Sequence, residues 1–92
     1  MPDIRVRLFA RPREICGTDA LQIELDAPAD VRQCFAALSA RYPAMEPLRE
    51  RLMVAVNEEY AGWDAPLQDG DEVAFIPPVS GGVATRGQRA RG

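Results

Sequence analysis

Histidine and lysine are both absent from this chain of 92 residues, so all eleven basic side chains are arginines. Because histidine is the commonest metal ligand and the usual general base near neutral pH, its absence argues against catalysis by a nucleophile–histidine pair. Only Cys16 and Cys34 are present as cysteines, with no Cys-x-x-Cys pair and no Cys/His cluster. We therefore expect no disulfide framework and no metal site.

Long hydrophobic runs are also missing. No apolar stretch approaches the ~18 residues needed to span a bilayer. Near the N-terminus, Asp3, Arg5 and Arg7 interrupt the apolar residues and leave no continuous block of the kind found in signal peptides. We expect a single cytoplasmic domain without a membrane association.

Charge is unevenly distributed along the chain. Residues 1–82 carry eight arginines and 14 acidic residues, a net charge of −6, whereas residues 83–92 carry three arginines and no acid. An acidic body repels phosphate groups, so we expect no nucleic-acid partner. Partners with basic surfaces are favoured instead.

Two short segments in the first third alternate apolar and polar residues. Residues 4–8 (IRVRL) and 21–25 (LQIEL) show the period of two that is typical of half-buried strands, and they can pair as a hairpin. The piece between them contains Pro12 and Gly17 and is expected to be irregular.

One amphipathic helix is predicted over residues 31–42. Asp30 lies three residues before Gln33, which is the spacing of a capping box, and Pro43 ends the pattern. The apolar side chains that recur at helical spacing are Val31, Cys34, Phe35, Leu38 and Tyr42.

The second half of the chain predicts two further strands and a minor one. The apolar run at residues 52–56 is typical of a strand buried on both faces in the middle of a sheet, and it predicts a strand over residues 52–57. Asp69-Gly70 indicates a turn, and residues 72–76 form a strand that Pro77-Pro78 ends. With a very short strand near Tyr60-Ala61, the order is β-β-α-β-(β)-β, which predicts an α+β domain with one helix on a mixed sheet.

Two prolines and two glycines stand close together in Pro77-Pro78-Val79-Ser80-Gly81-Gly82. The prolines stiffen the exit from the last strand, and the glycines allow the backbone to thread a channel too narrow for a Cβ atom. From these residues alone, a Gly-Gly turn or a flexible linker is an equally good interpretation. Residues 83–92 lack the apolar content to fold and are expected to be a disordered basic extension.

Three stretches carry a more specific signal: RVRLFARPREICGTD at residues 5–19, AALSARYP at 36–43 and VNEEYAGWDAPLQDGDEVAFIPPVSGG at 56–82. Together with the order of elements, they resemble the small sulfur-carrying subunits of molybdopterin synthase, ubiquitin-like proteins related to the thiamin sulfur carrier. The resemblance covers nearly all of residues 4–82. It implies a β-grasp fold with a mixed sheet of four to five strands and a sulfur-carrier domain spanning residues 1–82.

The resemblance also implies a chemistry and a set of partners. An activating enzyme adenylates the terminal glycine carboxylate with ATP, and a sulfur donor converts it to a thiocarboxylate. The large synthase subunit, which forms a heterotetramer with the carrier, then uses two such thiocarboxylates to convert precursor Z (cyclic pyranopterin monophosphate) into molybdopterin. By position, Gly82 would be the reactive residue, with Ser80 and Gly81 in the threading segment. Such a carrier needs no metal, bound cofactor or acid–base group of its own.

This chain departs from the family pattern in continuing for ten residues after Gly82. Three interpretations of the extension are open: a protease removes it, it begins a fused or longer product, or it is an artefact of cloning or reading frame. Otherwise the protein has lost sulfur transfer and only binds partners. The alternatives are a ubiquitin-like binding or protein-modifier domain, and a sulfur carrier for thiamin, cysteine or tungsten-cofactor synthesis.

The partner surface is predicted from strand alternation. Val73 and Phe75 point into the core, which leaves Phe9 and Ile76 outward on neighbouring edges of the sheet with Tyr60 close by. In the resembling family the corresponding positions contact the large subunit. The predicted partner-binding residues are Phe9, Tyr60, Ile76, Pro77, Pro78, Val79 and Ser80.

Other candidates are assigned structural roles. Cys16 is expected to be packed or partly exposed, Cys34 to lie in the core, and Trp63 to be a core or edge aromatic residue. The acidic residues in turns are interpreted as a solvated rim rather than a paired-carboxylate site. They are Glu58, Glu59, Asp64, Asp69, Asp71 and Glu72.

Overall fold

A computed structural model describes residues 1–78; the predicted segment Val79 to Gly82 and the extension 83–92 lie outside the described residues. Seven strands, two α-helices and a 3₁₀ helix alternate along the chain. The elements are β1 (Asp3–Leu8), α1 (Ala10–Cys16), β2 (Ala20–Glu24), β3 (Ala29–Asp30), α2 (Val31–Arg41), the 3₁₀ helix (Pro43–Arg51), β4 (Met53–Val56), β5 (Glu59–Ala61), β6 (Pro66–Leu67) and β7 (Glu72–Ile76).

Five strands form one mixed sheet in the order β2-β1-β7-β4-β5. The central pair, β1 and β7, is parallel, and the other neighbours are antiparallel. A separate two-stranded sheet joins β3 to β6. This is the predicted β-grasp architecture, and the α+β fold class is confirmed.

The core lies between one face of the sheet and α2. The capping box predicted at its start is present: the Asp30 carboxylate accepts the Gln33 backbone N–H at 2.9 Å, and the Gln33 side chain accepts the Asp30 N–H at 2.9 Å. Phe35 packs edge-on against Trp63 and Phe75, with ring centroids 5.3 and 5.4 Å apart. The largest fully buried side chains include Ile4, Val6, Leu8, Ile23, Leu38, Met45, Val73 and Phe75.

Two expectations about the elements are wrong. The segment between the first two strands is the helix α1, which starts after Phe9 and ends at Gly17 in the left-handed conformation (φ 72°). Pro12 is compatible with it because the first-turn N–H groups of a helix have no intrahelical partner. As a result β1 and β2 pair antiparallel without forming a direct hairpin.

The strand β4 is not buried on both faces. Val54 faces the core, whereas Met53, on the opposite face, is 47% exposed. A continuous apolar run therefore arises here because the outer face of the sheet is itself partly apolar. Within residues 1–78 no helix is long and apolar enough to cross a membrane.

Candidate functional site: the outer face of the sheet

The outer face of the sheet has a floor of small side chains. Strand register aligns Arg7 of β1 with Ala74 of β7, Ala74 with Ala55 of β4, and Ala55 with Tyr60 of β5. One row across four strands therefore has two alanines in the middle and a long side chain at each end. This arrangement produces a concave surface.

Larger side chains form the walls of this hollow, which has a volume of about 360 Å³. Phe9 is 40% exposed and Tyr60 is 73% exposed, a high fraction for aromatic residues. The residues that line the hollow are Arg7, Phe9, Ala55, Glu58, Tyr60, Glu72, Ala74 and Ile76. We call this set the sheet-face hollow.

Ion pairs fix the β1 side of the sheet-face hollow. The Glu72 carboxylate lies 3.5 Å from Arg5 Nε and 3.6 Å from Arg7 Nη1. The Arg7 guanidinium also lies over the Phe9 ring, 5.6 Å from its centroid. These partly exposed contacts contribute little to stability, but they orient the Arg7 side chain along the wall.

A two-residue turn fixes the opposite wall. Asn57 and Glu58 connect β4 to β5 with φ of 50° and 71°, and two positive φ angles are the condition for a type I′ hairpin turn. The Asn57 amide donates to Asp71 Oδ1 at 3.0 Å and accepts the Glu72 backbone N–H at 3.0 Å. The turn is thus tied to the start of β7, beside the ion-paired Glu72.

Neither cysteine lies on this surface. Both are buried and reduced. Burial raises the pKa of the Cys34 thiol from 9.0 to about 12, and burial also raises the pKa of Cys16. The thiols are held neutral, as expected of packing residues. In the part of the chain that the structure describes, no group of His, Cys, Asp or Glu side chains could hold a metal ion.

The structure brings together three of the predicted partner-binding residues. Phe9, Tyr60 and Ile76 all line the sheet-face hollow. Phe9 directly follows β1 and Ile76 is the last residue of β7; both are inner strands of the sheet, so the predicted placement of these residues on edges is wrong. Pro77 is half-buried and Pro78 exposed just beyond the hollow, and the remaining predicted residues lie outside the described part.

Sequence reasoning missed the floor and the charged rim. Alternation along the strands could have found Arg7, two residues before Phe9, and Ala74, two residues before Ile76.

The acidic turn residues are dispersed over the domain. Glu58 and Glu72 line the sheet-face hollow. Others hold turns, since Asp69 accepts the Asp3 N–H at 2.8 Å and Asp71 accepts the Gln68 N–H at 2.8 Å. Trp63 packs partly buried against the core, and its assignment as a core or edge aromatic is confirmed.

An exposed apolar hollow with a charged rim is typical of a protein interface. The hollow is open and shallow, and its floor consists of methyl groups. It lies where the last described strand ends, next to Pro77 and Pro78, which begin the Pro-Pro-Val-Ser-Gly-Gly segment.

Comparisons with known proteins agree with this geometry. The model of the ThiS family matches residues 6–82. The molybdopterin synthase sulfur carrier subunit of Escherichia coli is 47% identical over 81 residues, which cover 86% of this chain and 99% of that protein.

Two solved structures are also similar to this chain. A putative molybdopterin converting factor subunit 1 from Pyrococcus furiosus superposes with a TM-score of 0.78 at 32% identity, covering 86% of this chain and all of that one. The small archaeal modifier protein 1 of H. volcanii superposes with a TM-score of 0.79 at 28% identity, with the same coverage. The chain belongs to the ThiS family, among the molybdopterin synthase sulfur carrier subunits.

Proposed function

We propose that this protein donates sulfur from a thiocarboxylate on Gly82 to precursor Z, as the small subunit of a molybdopterin synthase. The observation that carries the proposal is the extent of the family match, which runs from β1 to the second glycine of the Gly-Gly pair. The Escherichia coli relative is named as a sulfur carrier subunit of the same synthase.

The proposed chemistry takes place at one carbonyl carbon. The Gly82 carboxylate attacks the α-phosphate of ATP on the activating enzyme, which releases pyrophosphate and leaves an acyl adenylate. Sulfide-level sulfur supplied by the donor protein then attacks the acyl carbon and displaces AMP, so that a C–S bond replaces the C–O bond to the phosphate and a thiocarboxylate remains. A carboxylate is a poor acyl donor until it is activated in this way, and the carrier needs no catalytic side chain of its own.

The sheet-face hollow supplies the docking surface for the large subunit in this proposal. Its apolar walls are the exposed Phe9 and Tyr60 and the half-buried Ile76, and the Glu58 carboxylate lies at the rim. A complementary partner would present an apolar side chain to the alanine floor and basic groups to the acidic rim. Docking there brings the end of β7, from which the Gly-Gly segment continues in sequence, next to the partner.

The extension must be removed for this function. While Gly82 is joined to Val83 by a peptide bond, it has no free carboxylate to adenylate. We propose that a protease cleaves after Gly82.

The experiment compares the chain ended at Gly82 with the full chain in ATP–pyrophosphate exchange by a cognate activating enzyme. Exchange is expected only with the shortened chain. Gly81→Ala in the shortened chain should slow exchange, because a Cβ is added in the threading segment. Exchange by the full chain, shown to be intact by mass, would contradict cleavage, and no exchange from the shortened chain would contradict the carrier proposal.

A protein modifier is the second candidate, and the similarity to small archaeal modifier protein 1 favours it. In that function Gly82 would form an isopeptide bond with a lysine of another protein. This chain has no lysine and cannot be its own acceptor. Cells expressing a tagged shortened chain would then contain covalent conjugates that persist in denaturing gels, whereas a pure sulfur carrier yields none.

A further inference from the structure

Charge in this domain is divided between its helices and its strands. The three helices together contain six arginines and three glutamates, a net charge of +3, while the rest of residues 1–78 contains two arginines and eleven acidic residues. The helices form the layer on the core side of the sheet, away from the sheet-face hollow. An acidic protein thus carries a basic layer on one side.

Most arginines of this layer are unpaired. Arg11 forms an ion pair with Glu14 at 3.3 Å, and the only other ion pairs among residues 1–78 involve Arg5 and Arg7 on the sheet. The helical arginines without a carboxylate within 4.0 Å in that part of the chain are Arg13, Arg32, Arg41, Arg49 and Arg51. Their charges are available to a partner.

Two of these arginines border a second hollow, with a volume of about 260 Å³, between α2 and the 3₁₀ helix. It is lined by Arg32, Phe35, Ala36, Glu46 and Arg49, and we call it the helix-side hollow. Both arginine residues contact Trp63, in different ways. Arg49 lies over the Trp63 ring, 5.4 Å from the centroid, and the backbone N–H of Arg32 donates to the Trp63 carbonyl at 2.9 Å.

This arrangement lowers the cost of binding an anion at the helix-side hollow. Stacking on Trp63 restrains the Arg49 side chain before any partner arrives, so less conformational entropy is lost on binding. Trp63 is itself fixed by its edge-on contact with Phe35 at 5.3 Å. A guanidinium held in this way presents paired N–H donors that match the geometry of a carboxylate.

We propose that the helix-side hollow is a second docking surface and that its occupant is an acidic peptide segment of a partner protein. Carboxylates of the segment pair with Arg32 and Arg49. An extended nucleic acid is disfavoured because its phosphate backbone would run beyond the helices and meet the acidic strands and turns, whereas a short acidic segment is confined to the helix-side hollow. Glu46 at the rim repels carboxylates from one side and so restricts how the segment can lie.

The second surface lies on the opposite side of the sheet from the proposed large-subunit site. One partner can therefore hold the domain by its helices while another occupies the sheet-face hollow. This goes beyond sulfur donation and does not depend on it, because the docking involves neither Gly82 nor the sheet-face hollow.

The test uses the intrinsic fluorescence of Trp63, the single tryptophan of the chain. The probe is a hexaglutamate peptide, titrated into the full chain carrying Arg86→Ala, Arg89→Ala and Arg91→Ala, so that arginines of the extension do not bind it. A saturable change in fluorescence is expected. A hexaglutamine peptide should produce none.

Variants at matched positions separate a site from general attraction. Arg32→Gln and Arg49→Gln should each weaken hexaglutamate binding about three- to tenfold. Arg41→Gln, which removes the same charge from the far end of α2, should change it less than twofold. Equal weakening by Arg41→Gln, or the absence of a saturable change, would overturn the proposal, and so would an oligothymidylate that binds as tightly as the peptide.

A second measurement needs no variant in the hollow. In ¹⁵N-correlated NMR spectra, the peptide should shift the Trp63 Nε1–H signal and the Arg32 and Arg49 Nε–H signals, while Arg41 Nε–H stays in place. Shifts spread evenly over all helical arginines would show that no specific site exists.

Discussion

Replacing Phe35 by alanine should remove a large part of the folding free energy of the domain. The side chain is 3% exposed and contacts Trp63 and Phe75 through its ring edges. Deleting a buried phenylalanine costs about 3–5 kcal/mol, because apolar contacts are lost and a cavity remains. A domain of this size has a stability of about 4–12 kcal/mol, so the change removes between about a quarter and all of it.

The assay is urea unfolding followed by far-ultraviolet circular dichroism, because Trp63 fluorescence depends directly on the ring that is removed. With a denaturant slope of about 1 kcal/mol per molar urea, the midpoint should fall by about 3–5 M. Arg32→Ala is the control: its side chain is on the exposed side of the same helix, and the expected cost is below about 0.5 kcal/mol. Equal midpoints for the two variants would refute the packing of α2 described above.

Three further predictions concern the site and the buried thiol. Phe9→Asp and Ile76→Asp should each weaken binding to the large synthase subunit, measured by calorimetry, with unchanged unfolding curves; wild-type affinity in both would contradict the assignment of the sheet-face hollow. Asn57→Ala should cost about 2 kcal/mol in urea unfolding, since two side-chain hydrogen bonds are lost and alanine tolerates positive φ poorly. Gln68→Ala should cost little, because its two hydrogen bonds to Asp71 are made by its backbone N–H and carbonyl. The Cys34 thiol ionises in the unfolded chain above pH 9 but in the folded protein only near pH 12, so stability present below pH 9 is lost as the pH rises from 9 toward 12. The decrease in the free energy of unfolding between pH 8 and pH 10 should therefore be about 1 kcal/mol smaller in Cys34→Ala than in the wild type. An equal decrease in both proteins would contradict the burial of a neutral thiol at this position.

Sequence alone predicted the elements whose patterns reflect local physics. The alternation in residues 4–8 and 72–76 identifies β1 and β7, because each strand packs one face on the core. Asp30 and Gln33 identify the start of α2, since a capping box depends only on neighbouring residues. Phe9, Ile76 and Tyr60 were assigned to a shared outer face from alternation and the resemblance, and they do line one hollow.

What could not be predicted depends on contacts distant in sequence. The two-residue strands β3 and β6 carry no periodic pattern and form only because Ala29 pairs with Leu67. The helix α1 was missed because Pro12 was given the weight of a helix breaker, although Gly17 marked the helix end. The helix-side hollow also depends on distant contacts, because Arg49 and Trp63 come together only when the 3₁₀ helix packs beside the chain after β5.

The central claim, that this domain carries sulfur on Gly82, is tested most directly by the intact mass of the protein purified from its native cells under conditions that preserve thiocarboxylates. A polypeptide that ends at Gly82, with a fraction whose mass differs by the exchange of one oxygen for sulfur, is the predicted result. That fraction should disappear after treatment with an alkylating reagent and be replaced by the alkylated form. A population that retains residues 83–92 throughout, or that ends at Gly82 without any sulfur-containing fraction while the synthase is active, would contradict the account.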